Sequence, residues 1–258
     1  MDLQRHLPSP DLKPFLKDIL FVETEAATHN LILPDTSLVL AIRYKGRVSQ
    51  TIDNLDQSLD LATLSGLRNS PRHINYSTNS ANLLIRFEPG GAAAFFTEPL
   101  QEFFQESVPA IDLKGYSNMP SIAAQLAETT TNTERAQSIQ QFLRTKIRTP
   151  PDRLLHSAIA SIQQAKGAIS IGNLAKQLYI SQDAFEKRFR KNVGMTAKHF
   201  ASVVRLRHII DTYTPEKAHT LTHLAHSAGY FDQAHFTHDF QRFTGQSPRQ
   251  FFATANYW

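Results

Sequence analysis

The sequence predicts an α+β protein of more than one domain. An N-terminal β-barrel or sandwich with flanking helices precedes an all-helical domain, in which two copies of one two-helix unit are joined by a long helix. Three observations support this prediction. Short β-rich segments alternate with turn residues up to about residue 91. Helical patterns begin at about residue 92, and two windows near the C-terminus repeat each other.

The strand predictions come from short segments rich in Val, Ile, Leu and Thr that are separated by Gly, Asn, Pro and Ser. These segments are residues 36–46, 48–53, 62–67 and 82–91. Several short strands with turn signals between them are typical of a sandwich or a barrel. We therefore expect the strands of the first domain to lie at about residues 30–91.

Helices are expected at about residues 92–147, in three segments: 92–104, 121–128 and 134–147. The third segment carries one apolar stripe, formed by Ala136, Ile139, Leu143 and Ile147. The proline-containing stretch at 148–153 then interrupts the helical pattern. We expect a first domain at residues 1–148, a linker at 149–153 and a helical domain at 154–258.

The helical domain contains an internal duplication, because residues 174–200 resemble residues 224–251. The first positions correspond at a separation of 50 residues and the later ones at 51, so one residue has been gained in the turn. The matched positions are Leu174 and Ala175 with Leu224 and Ala225, Ser181 with Asp232, and Phe185, Phe189, Gly194 and Phe200 with Phe236, Phe240, Gly245 and Phe251.

Each copy predicts a helix, a tight turn and a capped second helix that ends at glycine. The first helices are expected at about 171–178 and 221–228, the second at about 182–192 and 233–243, and a long joining helix at 196–213. Phenylalanines at helical spacing bury one face of each second helix and leave the other face free. This is the helix-turn-helix plan, whose second helix fits the DNA major groove. A rigid pair could contact two groove segments about 34 Å apart.

Charge is distributed unevenly along the chain. Residues 151–258 hold 13 Lys and Arg against 7 Asp and Glu, a formal charge of +6, and 8 of the 11 histidines. Residues 1–150 hold 14 basic and 16 acidic side chains, a charge of −2. A basic C-terminal part beside a mildly acidic N-terminal part favours a nucleic-acid-binding module joined to a different one.

Composition excludes several classes of site. The chain has no cysteine, which excludes disulfides, thiolate zinc sites, iron–sulfur clusters and cysteine nucleophiles. No signal-peptide pattern and no apolar run long enough to span a bilayer is present. We therefore expect a soluble cytoplasmic protein with no membrane partner.

The residues just described resemble the AraC/XylS-type family of bacterial transcriptional regulators. The resemblance rests on "LAKQLYISQDAFEKRF" and on "AGYFDQAHFTHDFQRFTGQSPRQF", and it covers about the last 105 residues. A looser resemblance of "LIRFEPGGAAAFFTEPLQEFF" to the sensor-like domain of one branch of the family covers part of the N-terminal half. The resemblance implies double-stranded DNA as a partner, with a small-molecule effector, RNA polymerase and a second copy of the chain as further candidate partners.

The resemblance also implies roles for individual residues of the two second helices. Bases would be read by Gln182, Asp183, Glu186, Lys187, Gln233, Ala234, His235, Thr237 and His238. Phosphates would be bound by Arg190, Lys191, Gln241 and Arg242. Gln can bond adenine, Lys can bond guanine and Glu can accept from cytosine, whereas phosphate contacts supply salt-sensitive affinity.

One position departs from the family pattern. His238 stands where the family usually has a basic residue, as Lys187 does in the first unit, and Asp239 follows it. We therefore expect the first unit to dominate affinity. Because histidine side chains titrate at about pH 6.5, the second unit is also a candidate for pH-dependent binding.

Other kinds of site have weaker support. His219, His223 and His226 are spaced like a metal stripe on a helix, as are His235 and His238, but no set of three or four converging ligands is evident. No phosphate-binding glycine loop or catalytic triad can be argued from the sequence. We expect no metal, no cofactor and no enzymatic activity.

An effector pocket, if present, should lie inside the N-terminal barrel. Its candidate wall residues are Ile42, Tyr44, Leu64 and Arg86, and the alternative is that these side chains fill a core. A second function class also remains open at this point. The protein could bind a small molecule while its helical domain contacts other proteins instead of DNA.

Overall fold

The computed structural model describes residues 1–213 and 221–253. His219, Tyr257 and Trp258 lie outside the described residues. The strands are β1 (Asp2–His6), β2 (Leu16–Thr24), β3 (Thr28–Ile32), β4 (Val39–Lys45), β5 (Val48–Ile52), β6 (Leu55–Ser58), β7 (Ala62–Ser65), β8 (Arg72–Tyr76), β9 (Ser80–Phe87) and β10 (Ser107–Pro109). The α-helices are α1 (Met119–Glu128), α2 (Asn132–Arg144), α3 (Arg153–Gln164), α4 (Ile171–Gln177), α5 (Gln182–Val193), α6 (Ala197–Thr212), α7 (Leu221–Ser227), α8 (Gln233–Thr244) and α9 (Pro248–Ala253).

The N-terminal half is built from two antiparallel sheets, as predicted. The larger sheet has the strand order β1-β2-β9-β4-β7-β10, and the smaller has the order β3-β8-β5-β6. Side chains alternate between the two faces of each strand. In β9, Leu83, Ile85 and Phe87 are fully buried on the face of the larger sheet that is covered by helices. The intervening Asn82, Leu84 and Arg86 face the smaller sheet, and line a cavity between the two.

The N-terminal half differs from the prediction in two respects. Its strands begin at Asp2, not near residue 30, since β1 and the largely buried β2 both precede that position. The exposed β1 shows no alternation of apolar residues. Residues 92–104 do not form one helix. They form two short 3-10 helices, Gly91–Ala94 and Leu100–Phe103, separated by an irregular segment. Pro99 starts the second one in an extended conformation that an α-helix could not continue.

The helices of the C-terminal half lie close to the predicted positions. The long joining helix, predicted at 196–213, is α6, and Thr196 caps it by accepting a hydrogen bond from the His199 N–H at 3.1 Å. The apolar stripe of the earlier helix is also confirmed in part. Ala136, Ile139 and Leu143 are buried in α2, but Ile147 follows the end of that helix.

The two halves share one continuous apolar core that extends from the larger sheet to α3–α9. The first helix pair packs directly on the two 3-10 helices. A Cβ atom on Gly194 would lie 3.2 Å from the Leu100 carbonyl oxygen. Nearby, the ring of Phe104 stacks on that of His199, with planes 10° apart and centroids 6.3 Å apart. The sheet domain therefore holds the first pair in a defined place.

None of the helices in the described ranges is long and apolar enough to cross a membrane.

Candidate nucleic-acid interface and internal cavity

The first unit consists of α4 and α5. Leu174 and Ala175 of α4 are buried in the same core as Phe185 and Phe189 of α5, whose ring centroids lie 5.5 Å apart. Ser181 caps α5 by accepting a hydrogen bond from the Ala184 N–H at 3.3 Å. The buried face fixes the angle between the helices, and the remaining face of α5 is left to solvent.

The second unit repeats this arrangement in α7 and α8. Asp232 caps α8 by accepting from the His235 N–H at 2.7 Å, and Phe236, Phe240 and Phe243 are buried. Gly245 ends the helix in the left-handed region, at φ 74°, and Pro248 begins α9. These are the features that the sequence predicts for residues 232–248.

The turns of the two units are the same in their backbone hydrogen bonds. In the first, the Tyr179 and Ile180 N–H groups donate to Lys176 and Ala175. In the second, Gly229 and Tyr230 donate to His226 and Ala225. The residue gained in the second unit is therefore Phe231, which stands between the turn and the capping Asp232.

Phe231 and Tyr179 are the two most exposed large hydrophobic side chains of the described residues, at 89% and 98%. Phe231 immediately precedes Asp232, the N-cap of α8, and Tyr179 lies two residues before Ser181, the N-cap of α5. The predictions from sequence gave neither residue a role. The signal that could have found Phe231 is that the residue gained in the turn falls outside the repeated pattern of buried positions.

The outer face of α5 is basic and open to solvent. Gln182, Asp183, Lys187, Arg190 and Lys191 are exposed. In the described part of the chain, Lys187, Arg190 and Lys191 take part in no ion pair, so their charges are available to a ligand. Arg188 is engaged elsewhere, since its guanidinium donates to both carboxylate oxygens of Asp152 at 2.7 and 2.8 Å.

Glu186 is placed differently from its neighbours. It is half-buried, and its carboxylate accepts a hydrogen bond from the Ala197 N–H at 3.3 Å, at the first turn of α6. This contact ties α5 to the joining helix. A base would have to compete with that backbone group for the carboxylate.

The outer face of α8 carries less free charge. Gln233, Ala234, His235, His238 and Gln241 are exposed, and Thr237 is half-buried. The one arginine of this helix, Arg242, is half-buried and pairs with Asp239 at 3.1 Å. It also lies over the Phe243 ring, at 4.6 Å from the centroid. Asp239 is approached by His235 as well, at 3.7 Å.

The side chains of Gln182 and Gln233 return toward the first helix of their own unit. Gln233 accepts a hydrogen bond from the Thr222 hydroxyl at 2.7 Å. Gln182 lies beside Gly172, the equivalent position in α4, where no side chain is present to donate. The Gln182 amide is therefore freer to bond a ligand than the Gln233 amide.

The described residues contain no group of three or more His, Asp or Glu side chains that could hold a metal ion. This statement does not cover the helical spacing of His219, His223 and His226, because His219 is not among the residues described.

A cavity of about 310 Å³ lies between the two sheets of the N-terminal half. Its walls come from alternate residues of both sheets, among them Val39, Ala41, Asn82, Leu84, Ile74 and Tyr76. Apolar side chains form most of the exposed lining, and polar and charged side chains, among them Arg43, Arg68, Arg72, Arg86 and Arg207, form the rest. That combination is typical of cavities that bind small molecules.

Of the four pocket residues predicted from sequence, the cavity is lined by Arg86 alone. Ile42 and Leu64 are fully buried in the core on the opposite face of the larger sheet. Tyr44 donates its hydroxyl to Glu23 at 3.0 Å, outside the cavity. These three predictions are therefore wrong as to position, because the side chains that face the smaller sheet from β4 are those of Val39, Ala41 and Arg43.

Arg207 of α6 connects the joining helix to the rim of the cavity. Its guanidinium donates to the Pro34 carbonyl oxygen at 2.8 Å and to the Leu33 carbonyl oxygen at 3.1 Å. It also approaches the Asp35 carboxylate at 3.9 Å. Burial opposes ionisation of Asp35, but the charges of Arg207 and Lys17 hold its pKa below the ordinary value. The carboxylate is thus ionised and fixed at the rim.

Two family models match separate parts of the chain. A family model described as a helix-turn-helix domain matches residues 174–254, and confirms the helix-turn-helix resemblance seen in the sequence. A model described as a domain of unknown function (DUF6597) matches residues 4–109.

The similar curated proteins include uncharacterised HTH-type transcriptional regulators of Staphylococcus aureus strains MSSA476 and COL. Each is 32% identical over 85 residues, which is 32% of this chain and 11% of the relative. The chain therefore spans about a tenth of the length of the curated relatives that it matches.

Among solved structures, ToxT from Vibrio cholerae resembles the chain with a TM-score of 0.48, at 9% identity over 98% of each chain. A second ToxT structure, with an unsaturated fatty acid bound, gives a TM-score of 0.45 at 11% identity over 95% of this chain and 97% of that one.

Proposed function

Because residues 174–254 form a helix-turn-helix domain of the kind found in AraC-type regulators, we propose that this protein is a sequence-specific DNA-binding transcriptional regulator. The two recognition helices, α5 and α8, enter adjacent segments of the major groove. One observation carries the proposal. Two capped helices, preceded by turns with the same backbone hydrogen bonds, each bury a phenylalanine face and expose a polar one.

In this proposal the bases are read from the exposed faces of the two helices. Gln182, Asp183 and Lys187 act in the first unit, and Glu186 takes part if its bond to Ala197 opens. The second unit reads with Gln233, Ala234, His235, Thr237 and His238. Amide side chains suit adenine and the ammonium group suits guanine, since each matches the pattern of acceptors and donors at the base edge.

The two units contribute unequally to phosphate binding. Lys187, Arg190 and Lys191 lie exposed and without an ion pair among the described residues, whereas Arg242 is held by Asp239. Gln241 can bond a phosphate but brings no charge. The first unit therefore supplies most of the salt-dependent affinity.

The N-terminal part acts as the sensor or the dimerisation element of the regulator. We assign to it residues 1–148, with a linker at 149–153 and the DNA-binding domain at 154–258. The cavity between the sheets, with Arg86 in its wall, is the candidate site for a small-molecule effector. RNA polymerase and a second copy of the chain are candidate partners of the bound regulator.

A selection from random-sequence DNA with the full-length protein, repeated at two salt concentrations, tests the proposed function. We expect enrichment of a site with two short boxes about 10 base pairs apart. Enrichment of a single box would mean that the second unit contributes little. Weak binding that salt removes, without enrichment, would contradict sequence-specific regulation and favour the alternative that the helical domain contacts proteins.

Replacing His238 by arginine is expected to raise DNA affinity by about tenfold. It should also steepen the slope of log affinity against log salt concentration by about one, as one added phosphate contact would. The reason is that the exposed outer face of α8 gains a cation where α5 carries Lys187. Fluorescence anisotropy over a salt series measures both quantities. The control Gln125→Arg adds the same charge to α1, and an equal gain there would attribute the effect to net charge alone.

Replacing Phe231 by alanine is expected to weaken specific DNA binding by about three- to tenfold without changing its salt dependence. The ring is exposed just before α8 and carries no charge, so in the proposed complex it would contact a thymine methyl group or a sugar rather than a phosphate. The control Leu55→Ala removes another exposed apolar side chain, on β6, which is 69% exposed. Unchanged affinity of the Phe231 variant would remove this residue from the interface.

A further inference from the structure

Two arginines form a cationic corner of the cavity, which we define as Arg68 and Arg72 with the hydroxyls of Ser65 and Ser107. Arg72 Nη1 donates to Ser65 Oγ at 3.0 Å and to Ser107 Oγ at 2.7 Å. Arg68 Nη2 donates to the same Ser107 Oγ at 3.0 Å. The Nε atoms of both arginines are buried and have no hydrogen-bond partner among the described residues. Neutral hydroxyls are thus the side-chain acceptors of this corner.

Two other arginines of the cavity, Arg86 and Arg207, lie beside acids, whereas Arg43 donates to the Gly46 carbonyl oxygen at 3.1 Å and forms no ion pair among the described residues. Arg86 donates to both carboxylate oxygens of Asp18, at 2.6 and 2.5 Å, and Arg207 lies beside Asp35. Glu106 favours the charged form of Arg68 from a distance, without forming an ion pair in the described chain. The cationic corner is therefore a part of the cavity where two neighbouring arginines have no ion-pair partner among the described residues.

Uncompensated charge in this environment is unfavourable. Burial, and then the neighbouring charge of Arg68, lower the pKa of Arg72 to about 10. A guanidinium group removed from water is stabilised when a carboxylate or phosphate accepts its N–H groups. An anion bound between Arg68 and Arg72 would supply that stabilisation.

The rest of the cavity has a different character. Leu59, Leu61, Ile74 and Leu84 lie along its walls, and Val22 and Tyr76 contribute further apolar surface. A free inorganic anion would leave this volume unfilled. An apolar body attached to the anion would displace water from these walls, which is favourable in proportion to the area covered.

We propose that Arg68 and Arg72 bind the acidic head of an amphipathic organic anion, a carboxylate whose apolar body occupies the remainder of the cavity. The inference rests on the proposed role of the N-terminal part as a sensor and names the chemical class of its effector. Because Arg72 belongs to β8 whereas Ser65 and Ser107 belong to β7 and β10, the head would be bound where the two sheets meet.

The site also lies close to the second DNA-binding unit. Pro71 immediately precedes Arg72, and a Cβ atom on Gly245 would lie 3.5 Å from the Pro71 ring. Gly245 ends the recognition helix α8. A shift of Arg72 on binding an anion would therefore be transmitted through Pro71 to the C-terminal end of α8.

Isothermal titration of the full-length protein tests the proposal with decanoate, below its micelle-forming concentration, and with 1-decanol and inorganic phosphate as matched probes. We expect saturable binding of decanoate, with 1-decanol and phosphate each weaker by at least about tenfold, since each lacks one of the two groups that the cavity recognises. Equal affinity for decanoate and decanol, or no saturable binding of decanoate, would overturn the proposal.

Variants then assign the effect to the cationic corner. Arg68→Gln is expected to lower decanoate affinity by at least about tenfold and to leave decanol binding unchanged, and Arg72→Gln to do the same. Because Arg72 also joins the two sheets, Arg72→Lys provides a second variant that keeps the charge, and thermal unfolding checks each protein. Arg47→Gln, at an exposed position of the same domain, is the control. Wild-type decanoate affinity in both Gln variants would contradict the assignment.

These measurements involve no DNA. Failure of the random-sequence selection would therefore leave the binding result intact, and failure of decanoate to bind would leave the DNA result intact.

Discussion

The triple replacement of Lys187, Arg190 and Lys191 by alanine is expected to lower affinity for the selected DNA site by at least on the order of 100-fold at physiological salt. Each of these side chains stands exposed on α5, and none forms an ion pair in the ranges that the structure describes. A hydrogen bond to a charged group is worth about 1.5–3 kcal/mol, so three lost contacts exceed that factor even if they are partly redundant.

The salt dependence separates this explanation from unfolding of the helix. Removing three phosphate or base contacts should reduce the slope of log affinity against log salt by about 2–3, because fewer counterions are released. All three side chains lie outside the core, so the melting temperature should change little. Anisotropy titrations at several salt concentrations and thermal unfolding check both.

A matched control removes the same charge from the other domain. Lys13, Lys45 and Arg47 are exposed on the N-terminal half, and their replacement by alanine should leave the affinity within about twofold at moderate salt. An equal loss in the control would mean that net charge, rather than α5, governs binding. Wild-type affinity of the α5 variant would overturn the proposed interface and favour protein contacts for the helical half.

The C-terminal half could be predicted well because its signals are local. Caps, helical spacing and terminal glycines each act within one or two turns of helix, and the duplication supplied each signal twice. Thus Ser181, Asp232, Gly194 and Gly245 have the conformations that the sequence indicates. The engagement of Glu186 with Ala197 could not be predicted, because it depends on how α6 returns toward α5.

The cavity could not be predicted because the sequence does not give the register of each strand, and the register decides which side chains face the smaller sheet. Ile42 and Leu64 are apolar β-strand residues like Val39 and Leu84, and nothing local indicates which face each one occupies. The strands β1 and β6 were missed since exposed edge strands carry no apolar alternation. The cationic corner joins residues of three strands, and Arg72 lies 35 positions from Ser107, so no local pattern could bring them together.

A change at Arg207 is expected to separate ligand binding from DNA binding. In the Arg207→Gln variant, decanoate should bind the cavity with an affinity within about threefold of wild type, since the cationic corner is intact. In the wild-type protein, decanoate should change DNA affinity by about 5- to 150-fold, the range typical of coupled sites. In the Arg207→Gln variant, this change should be less than about twofold. Paired anisotropy titrations with and without decanoate measure the coupling.

The physical reason lies in the position of Arg207 on the helix that joins the two recognition units. It is bonded to the Leu33 and Pro34 carbonyl oxygens at the rim of the cavity, so a ligand that moves the rim would move α6 and change how α5 and α8 are held. A glutamine side chain at this position cannot bond both carbonyl oxygens and also interact with the Asp35 carboxylate. Arg207→Lys keeps the charge but not the planar fork, and should retain part of the coupling. Full coupling in Arg207→Gln would exclude this route and favour a connection from the cationic corner to α8 through Pro71, which lies close to Gly245.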